Sequence, residues 1–291
     1  MANQNNAIAV MKNDVVDVVT KKIQVFQEKG ELSLPEDYSP GNAMQSAWLK
    51  LQEVQDRNKK PALEVVTKSS VANALLDMVV QGLNVSKTQG YFIVYGNKLV
   101  FQRSYFGTMA VTKRVTGAKS IDARVIYECD EVDYEVKAGK VVNLTHKQKF
   151  GNIDNNKIIG AYCVIEFPND ESYTEIMTMA EIRKSWEKSM SKGKGGVHND
   201  YTQEMAKRTI ITRTCKNFIN SSDDSSLIIE HFKKQDGAIK EAEAAEEIED
   251  NANTEYFDAQ YTEVNDDGEI INHEEKPVQE NDEAPTEPEP F

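Results

Sequence analysis

The chain is 291 residues long, 39% hydrophobic and 28% charged, with a formal net charge of −14. That length accommodates one large domain or two small ones around a sizeable core, and no stretch approaches the roughly 18 apolar residues a membrane span needs. Three scattered cysteines, Cys129, Cys163 and Cys215, and an opening with no basic start before an apolar run predict a protein of the reducing cytoplasm.

Apolar residues recur at helical spacing from Asn13 to Lys29, through Val15, Val19, Ile23 and Phe26, with Gly30 as a stop. "LPEDYSPG" reads as a linker whose Ser39 and Pro40 open a second helix bearing Trp48, Leu49 and Val54. A third helix is expected from Ser70 to Gln81, closed by Gly82. The period then changes. "YFIVYGNKLVFQ" is aromatic and β-branched around Gly96-Asn97, the pattern of a hairpin. Residues 104–117 return to a helix. Its Gly107 would cost about 1 kcal/mol relative to alanine in a helix interior, so close packing against the backbone is expected there.

"SIDARVIYECD", "VDYEVKAGKVVNLTH", "NKIIGAYCVIEF" and "ESYTEIMTM" read as antiparallel strands, with turns at Ala138-Gly139 and Pro168–Asp170. Helices at 179–190 and 201–219 follow, separated by "SKGKGG", whose Lys192 and Lys194 add charge. The fold class is therefore α+β: an antiparallel sheet flanked by helices, with a disordered acidic C-terminal tail. Residues 1–222 are expected to form one body, helical over about 1–85, and residues 223–291 the tail. Beyond Ser222 stand 23 Asp and Glu against four Lys and Arg, a net of −19, which leaves the body at +5 with 30 basic and 25 acidic residues. A segment of that composition cannot bury enough apolar surface to offset its ordering entropy.

A mildly basic body with clustered cations points to a polyanion. In "QEMAKRTIITRTCKNF" (203–218), Ile211, Cys215 and Phe218 form an apolar stripe, with Thr209, Thr212, Arg213 and Lys216 roughly opposite. Two cations with two hydroxyls can donate to successive phosphate oxygens without reading any base. Lys207 and Arg208 flank the stripe. In the 104–117 helix, Lys113 and Arg114 are the only charges, and Arg103 precedes it beside Tyr105 and Phe106. Aromatics next to cations suit single-stranded nucleic acid, bases stacking while cations hold the backbone. An ordinary solvated helix face and a pair of core aromatics would account for the same residues.

Two other chemistries have some support. Asp122 with Glu135-Val136-Lys137 matches a D…ExK nuclease constellation for Mg²⁺, a spacing common by chance on a solvent-facing strand. The end "EAPTEPEPF", finishing in Phe291, resembles the acidic tail tip of bacterial single-stranded-DNA-binding proteins. His146, His198, His231 and His273 lack metal-ligand spacing, and no GxxxxGK[ST] loop occurs, so no metal and no cofactor is expected.

The run "QRSYFGTMAVTKRVTGAKSIDARVIYECDEVDYEV", followed by "MTMAEIRKSWEKSMSK" and "QEMAKRTIITRTCKNF", resembles the RecT family of phage single-strand annealing proteins over about residues 90–220. The matching positions include Gln102, Tyr105, Gly107, Met109, Thr116-Gly117, Glu128, Asp130, Met179, Ile182, Glu204 to Thr209, and Arg213. Cys129 stands where glycine is common, and Asp200-Tyr201 where a tryptophan is. The resemblance implies an ATP-independent recombinase, not an enzyme, that binds single-stranded DNA and pairs it with a complementary strand. It also implies self-assembly into rings or filaments and a phage-encoded exonuclease as partner, with the host's single-stranded-DNA-binding protein as a further one. The expected DNA contacts are Lys113, Arg114, Arg213 and Lys216, with Lys207 and Arg208 close by and Arg103 and Tyr105 behind them. The alternative is an accessory protein that coats single strands without annealing them.

Overall fold

Methionine, valine and isoleucine at every fourth position build the first element: Met11, Val15, Val19 and Ile23 are all buried along α1 (Ala2–Glu28). The helix begins well before the expected Asn13, because Ile8 and Met11 extend the stripe by further turns. The computed structural model describes residues 2–187, 198, 200–221 and 227–233. Lys192, Lys194 and residues 234–291 of the expected tail lie outside the described residues.

Capping residues set the next boundaries. Ser39 accepts from the Asn42 amide at the head of α2 (Pro40–Leu51), and Thr67 from the Ser70 amide ahead of α4 (Lys68–Val80). Between them α3 (Ala62–Val65) is a single turn, too short for periodicity to reveal. Strands β1 (Gly90–Tyr95) and β2 (Lys98–Arg103) form the expected hairpin, with Tyr95 opposite Lys98 and Gly96 at φ +56° in the turn. Ser104 caps α5 (Tyr105–Thr116), which Gly117 ends at φ +70°.

A three-stranded antiparallel sheet follows in the order β3 (Ser120–Tyr127), β6 (Ile158–Glu166), β7 (Ser172–Thr178). The hairpin of β4 (Glu131–Lys137) and β5 (Lys140–Lys147) inserts between β3 and β6 and turns at Ala138-Gly139. A reciprocal capping box of Thr178 and Glu181 starts α6 (Met179–Trp186), and α7 (Thr202–Ser221) closes the expected set. Among the described residues these elements bear out an α+β architecture of helices flanking antiparallel sheet.

Two hydrophobic clusters hold the body. One joins α1, α2, α4 and the β1–β2 hairpin, with Val111 of α5 and Ile219 of α7. The other joins the three-stranded sheet to α6 and most of α7, through Ile121, Ile165, Met177, Ile182, Ile210 and Cys215. Helices α5 and α7 contribute to both clusters and form the seam. The first cluster extends past the helical part expected over about 1–85, because the β1–β2 hairpin buries Phe92 and Phe101 with the N-terminal helices.

A further helix, α8 (227–233), lies beyond the expected end of the body at Ser222. Ile228, Ile229 and Phe232 bury against the first cluster, and His231 Nδ1 sits 2.6 Å from Asp77 Oδ1 on α4. Seven residues with four large apolar side chains, Leu227 among them, escape a composition argument made over the whole acidic segment.

Candidate nucleic-acid interface

The seam helices run parallel. Tyr105 faces Arg208 and Thr112 bonds Cys215, so the register between α5 and α7 is kept over at least two turns. Gly107 makes the entry of α5 possible. A Cβ there would stand 2.1 Å from the Gln89 carbonyl oxygen and 2.7 Å from Arg103 Cγ, which is the close backbone approach its sequence predicted.

On α7 the buried residues are Ala206, Ile210, Ile211, Thr214, Cys215 and Ile219, a wider contact face than the expected stripe. Thr209 is drawn into it: its hydroxyl accepts from Trp186 Nε1 at 2.8 Å and donates to the Met205 carbonyl at 2.8 Å. Thr209 therefore is not the phosphate donor its helical-wheel position suggested. The helix is packed by α5, α6 and the sheet, and the wheel could not show the third neighbour. The buried thiols of Cys163 and Cys215 are pushed up by burial to about 12 and about 11, which leaves them as inert core atoms.

Of the eight cations and aromatics expected at the site, six fall into three groups and two turn into the body. Tyr105 and Arg208 come together where α5 and α7 begin, with Lys207 next to Arg208 in the chain. The Arg208 guanidinium lies 5.2 Å from the Tyr105 ring centroid, within cation–π range, and Tyr105 meets Phe106 at 4.0 Å between centroids. Phe106 is 45% exposed and nearby Tyr91 on β1 is 47% exposed. Burial pushes the Tyr105 hydroxyl up, with Arg208 opposing. Lys207 Nζ pairs with Glu204 at 3.0 Å.

The second group is Arg213 and Lys216, one turn further along α7. Arg213 is exposed and meets Glu175 of β7 at 3.3 Å, and Lys216 is half-buried. The third is Lys113, exposed at the far end of α5 beside a cleft of about 680 Å³ lined by Glu31, Ser33, Pro35 and Ile228.

Arg103 and Arg114 are turned into the body instead. Arg103 donates to Gln81 Oε1 at 2.5 Å and Thr108 Oγ1 at 3.2 Å, and its guanidinium lies 3.5 Å from the Phe232 centroid. Arg114 donates to the carbonyls of Gln81 and Gly82 at the C-terminal end of α4. Burial works against its charge, partly offset by Tyr38. Both are better explained as architecture than as DNA contacts, because each guanidinium completes a buried helix end or ring stack.

Sequence reasoning missed Tyr91. Its signal was the alternation of the β1 strand, where Phe92 and Val94 point inward and Tyr91 outward. The nuclease constellation gains no support from geometry: Glu135 and Lys137 pair with each other on the hairpin. Among the described residues no three His, Cys, Asp or Glu converge as a metal site, and no helix is long and apolar enough to cross a membrane.

A helix-flanked antiparallel sheet that presents cations beside exposed aromatics is the class of surface that suits single-stranded nucleic acid. The model of the RecT family matches residues 41–255, and the chain belongs to the RecT family. That places it broadly among the phage-type single-strand annealing proteins of DNA recombination. No curated protein matches the chain. The match begins at α2, so it reaches well ahead of the segment from residue 90 that carries the motifs. Within the matched block Glu204 to Thr209, Ala206 is fully buried and Thr209 holds Trp186, while Glu204 is exposed and Lys207 and Arg208 are half-buried.

Proposed function

We propose that the protein anneals complementary DNA strands without ATP, holding single-stranded DNA by its backbone while base pairing supplies specificity. The observation that carries this reading is the meeting of Arg208 with Tyr105, beside Phe106 and Tyr91, at the α5–α7 seam. Cations there neutralise phosphates and rings accept bases, an arrangement indifferent to sequence. Lys113, Arg213 and Lys216 extend the cationic path, and no bond chemistry is required of any residue. A cytoplasmic, self-assembling protein working with a phage-encoded exonuclease, and with the host's single-stranded-DNA-binding protein, completes the proposal. Residues 1–222 with α8 would be the annealing body, and the acidic segment after it a separate tail.

The test is annealing of two complementary oligonucleotides, followed by fluorescence quenching without ATP and with or without EDTA. Acceleration that survives EDTA and falls in Lys207→Ala/Arg208→Ala supports the reading. Tight binding with slowed pairing would instead identify a coating protein, and strand loss that EDTA stops a nuclease.

A further inference from the structure

Phe150 is the most exposed large apolar side chain among the described residues, at 92%. It is not on a loose loop. Two residues before it, Gln148 Nε2 donates to Asp130 Oδ2 at 2.9 Å; two residues after it, Asn152 Nδ2 donates to Asp130 Oδ1 at 3.3 Å and to the Cys129 carbonyl at 2.7 Å. The same carboxylate accepts from the Tyr127 amide and His146 Nε2, each at 3.0 Å, and has no exposed side-chain surface. Both flanks of the ring are thus fastened to one buried anion. The intervening 3₁₀ turn (Phe150–Asn152) is closed by the Asn152 amide on the Lys149 carbonyl at 2.9 Å.

A pinned loop that holds a phenylalanine in water leaves the burial of its ring unrealised. The neighbours indicate what the ring meets. Lys149 precedes it directly and Lys147, which also reaches Glu131 at 3.4 Å, stands three residues before. Gly151 follows it, and a Cβ on that glycine would meet nothing within 4 Å, so the chain just after the ring is uncrowded. Lysine is depleted at the centres of protein–protein interfaces, whereas an aromatic ring beside lysines suits a stacked base with its phosphates.

We infer that Phe150 is a stacking platform for a base of single-stranded DNA, with Lys149 and Lys147 on the adjoining phosphates and Asp130 as the residue that positions the loop. This rests on the single-strand reading of the protein and adds a contact on the β5–β6 connection, apart from the α5–α7 surface.

The test uses the full chain carrying Phe150→Trp, since Trp48 and Trp186 are buried and give a separate background. Saturating oligothymidylate should quench the new emission. Phe150→Ala and Phe150→Leu should each weaken oligothymidylate binding by about tenfold, while Phe150→Trp retains wild-type affinity. Wild-type affinity in both the alanine and leucine variants, or no quenching in a bound complex, overturns the inference and leaves the single-strand reading standing. Quenching or a blue shift that follows protein concentration without DNA would assign the ring to a second copy and overturn it too. A wild-type chain that does not bind oligothymidylate fails the underlying reading itself.

Discussion

Asp130→Asn removes one charge and almost no volume, so it isolates what the buried carboxylate contributes. Burial raises the cost of that charge, but hydrogen bonds from Gln148, the Tyr127 amide, His146 and Asn152 outweigh it and hold the carboxyl down to about 2, against an ordinary 3.8. That lowering corresponds to about 2.5 kcal/mol of stability at neutral pH. The folded value is the lower one, so this contribution is complete above the ordinary carboxylate range and is lost as pH falls toward the folded value. By about pH 3 roughly 1 kcal/mol of it is gone. Asparagine keeps one acceptor and turns an NH₂ toward donors, so Asp130→Asn should lose about 2–3 kcal/mol. Urea unfolding of both proteins at pH 7 and near pH 3 measures the gap and its narrowing. Amide exchange at residues 148–152 should quicken in the variant. A gap under about 0.5 kcal/mol at pH 7, or one that stays constant on acidification, refutes the account.

Three further outcomes follow from the geometry. Arg208→Ala should weaken single-strand binding several-fold and lower the slope of log affinity against log salt by about 0.7, read by anisotropy over a salt series. Arg114→Ala should leave that slope unchanged and cost about 1–2 kcal/mol in urea unfolding, because it uncaps the α4 carboxyl end. Removal of residues 234–291, which spares α8, should tighten oligothymidylate binding at low salt, with the difference shrinking as salt screens the acidic segment; equal affinities at low salt would remove the idea of a competing tail.

The elements that sequence reasoning found are those whose signal is local. Ser39, Thr67 and Ser104 cap helices because their hydroxyls accept amides three residues on, and that grammar needs no knowledge of the fold. Gly107 announced a close approach without saying to what; only the structure supplies Gln89. The site was less legible, because charge states a residue's affinity for water but not the direction of its side chain. Arg114 and Lys113 are adjacent in sequence, yet one ends a helix internally and the other faces solvent. Arg103 was lost for a longer-range reason: its ring partner Phe232 is 129 residues away, on a helix hidden inside an acidic segment.

The same argument explains why Asp130 could be matched to a family yet not given a role. Its donors come from the end of β3, β5 and the connection before β6, which the inserted hairpin brings to one point. A single carboxylate there orders three segments at once. Cys129, where glycine is common, takes part only through its backbone, whose carbonyl accepts from Asn152. The side chain of Cys129 is exposed, so the departure from the family's pattern leaves the hub intact. The hub is therefore a backbone-and-carboxylate device, and substitutions at Cys129 that allow the same turn should preserve it, whereas Asp130 has no substitute that keeps both charge and reach.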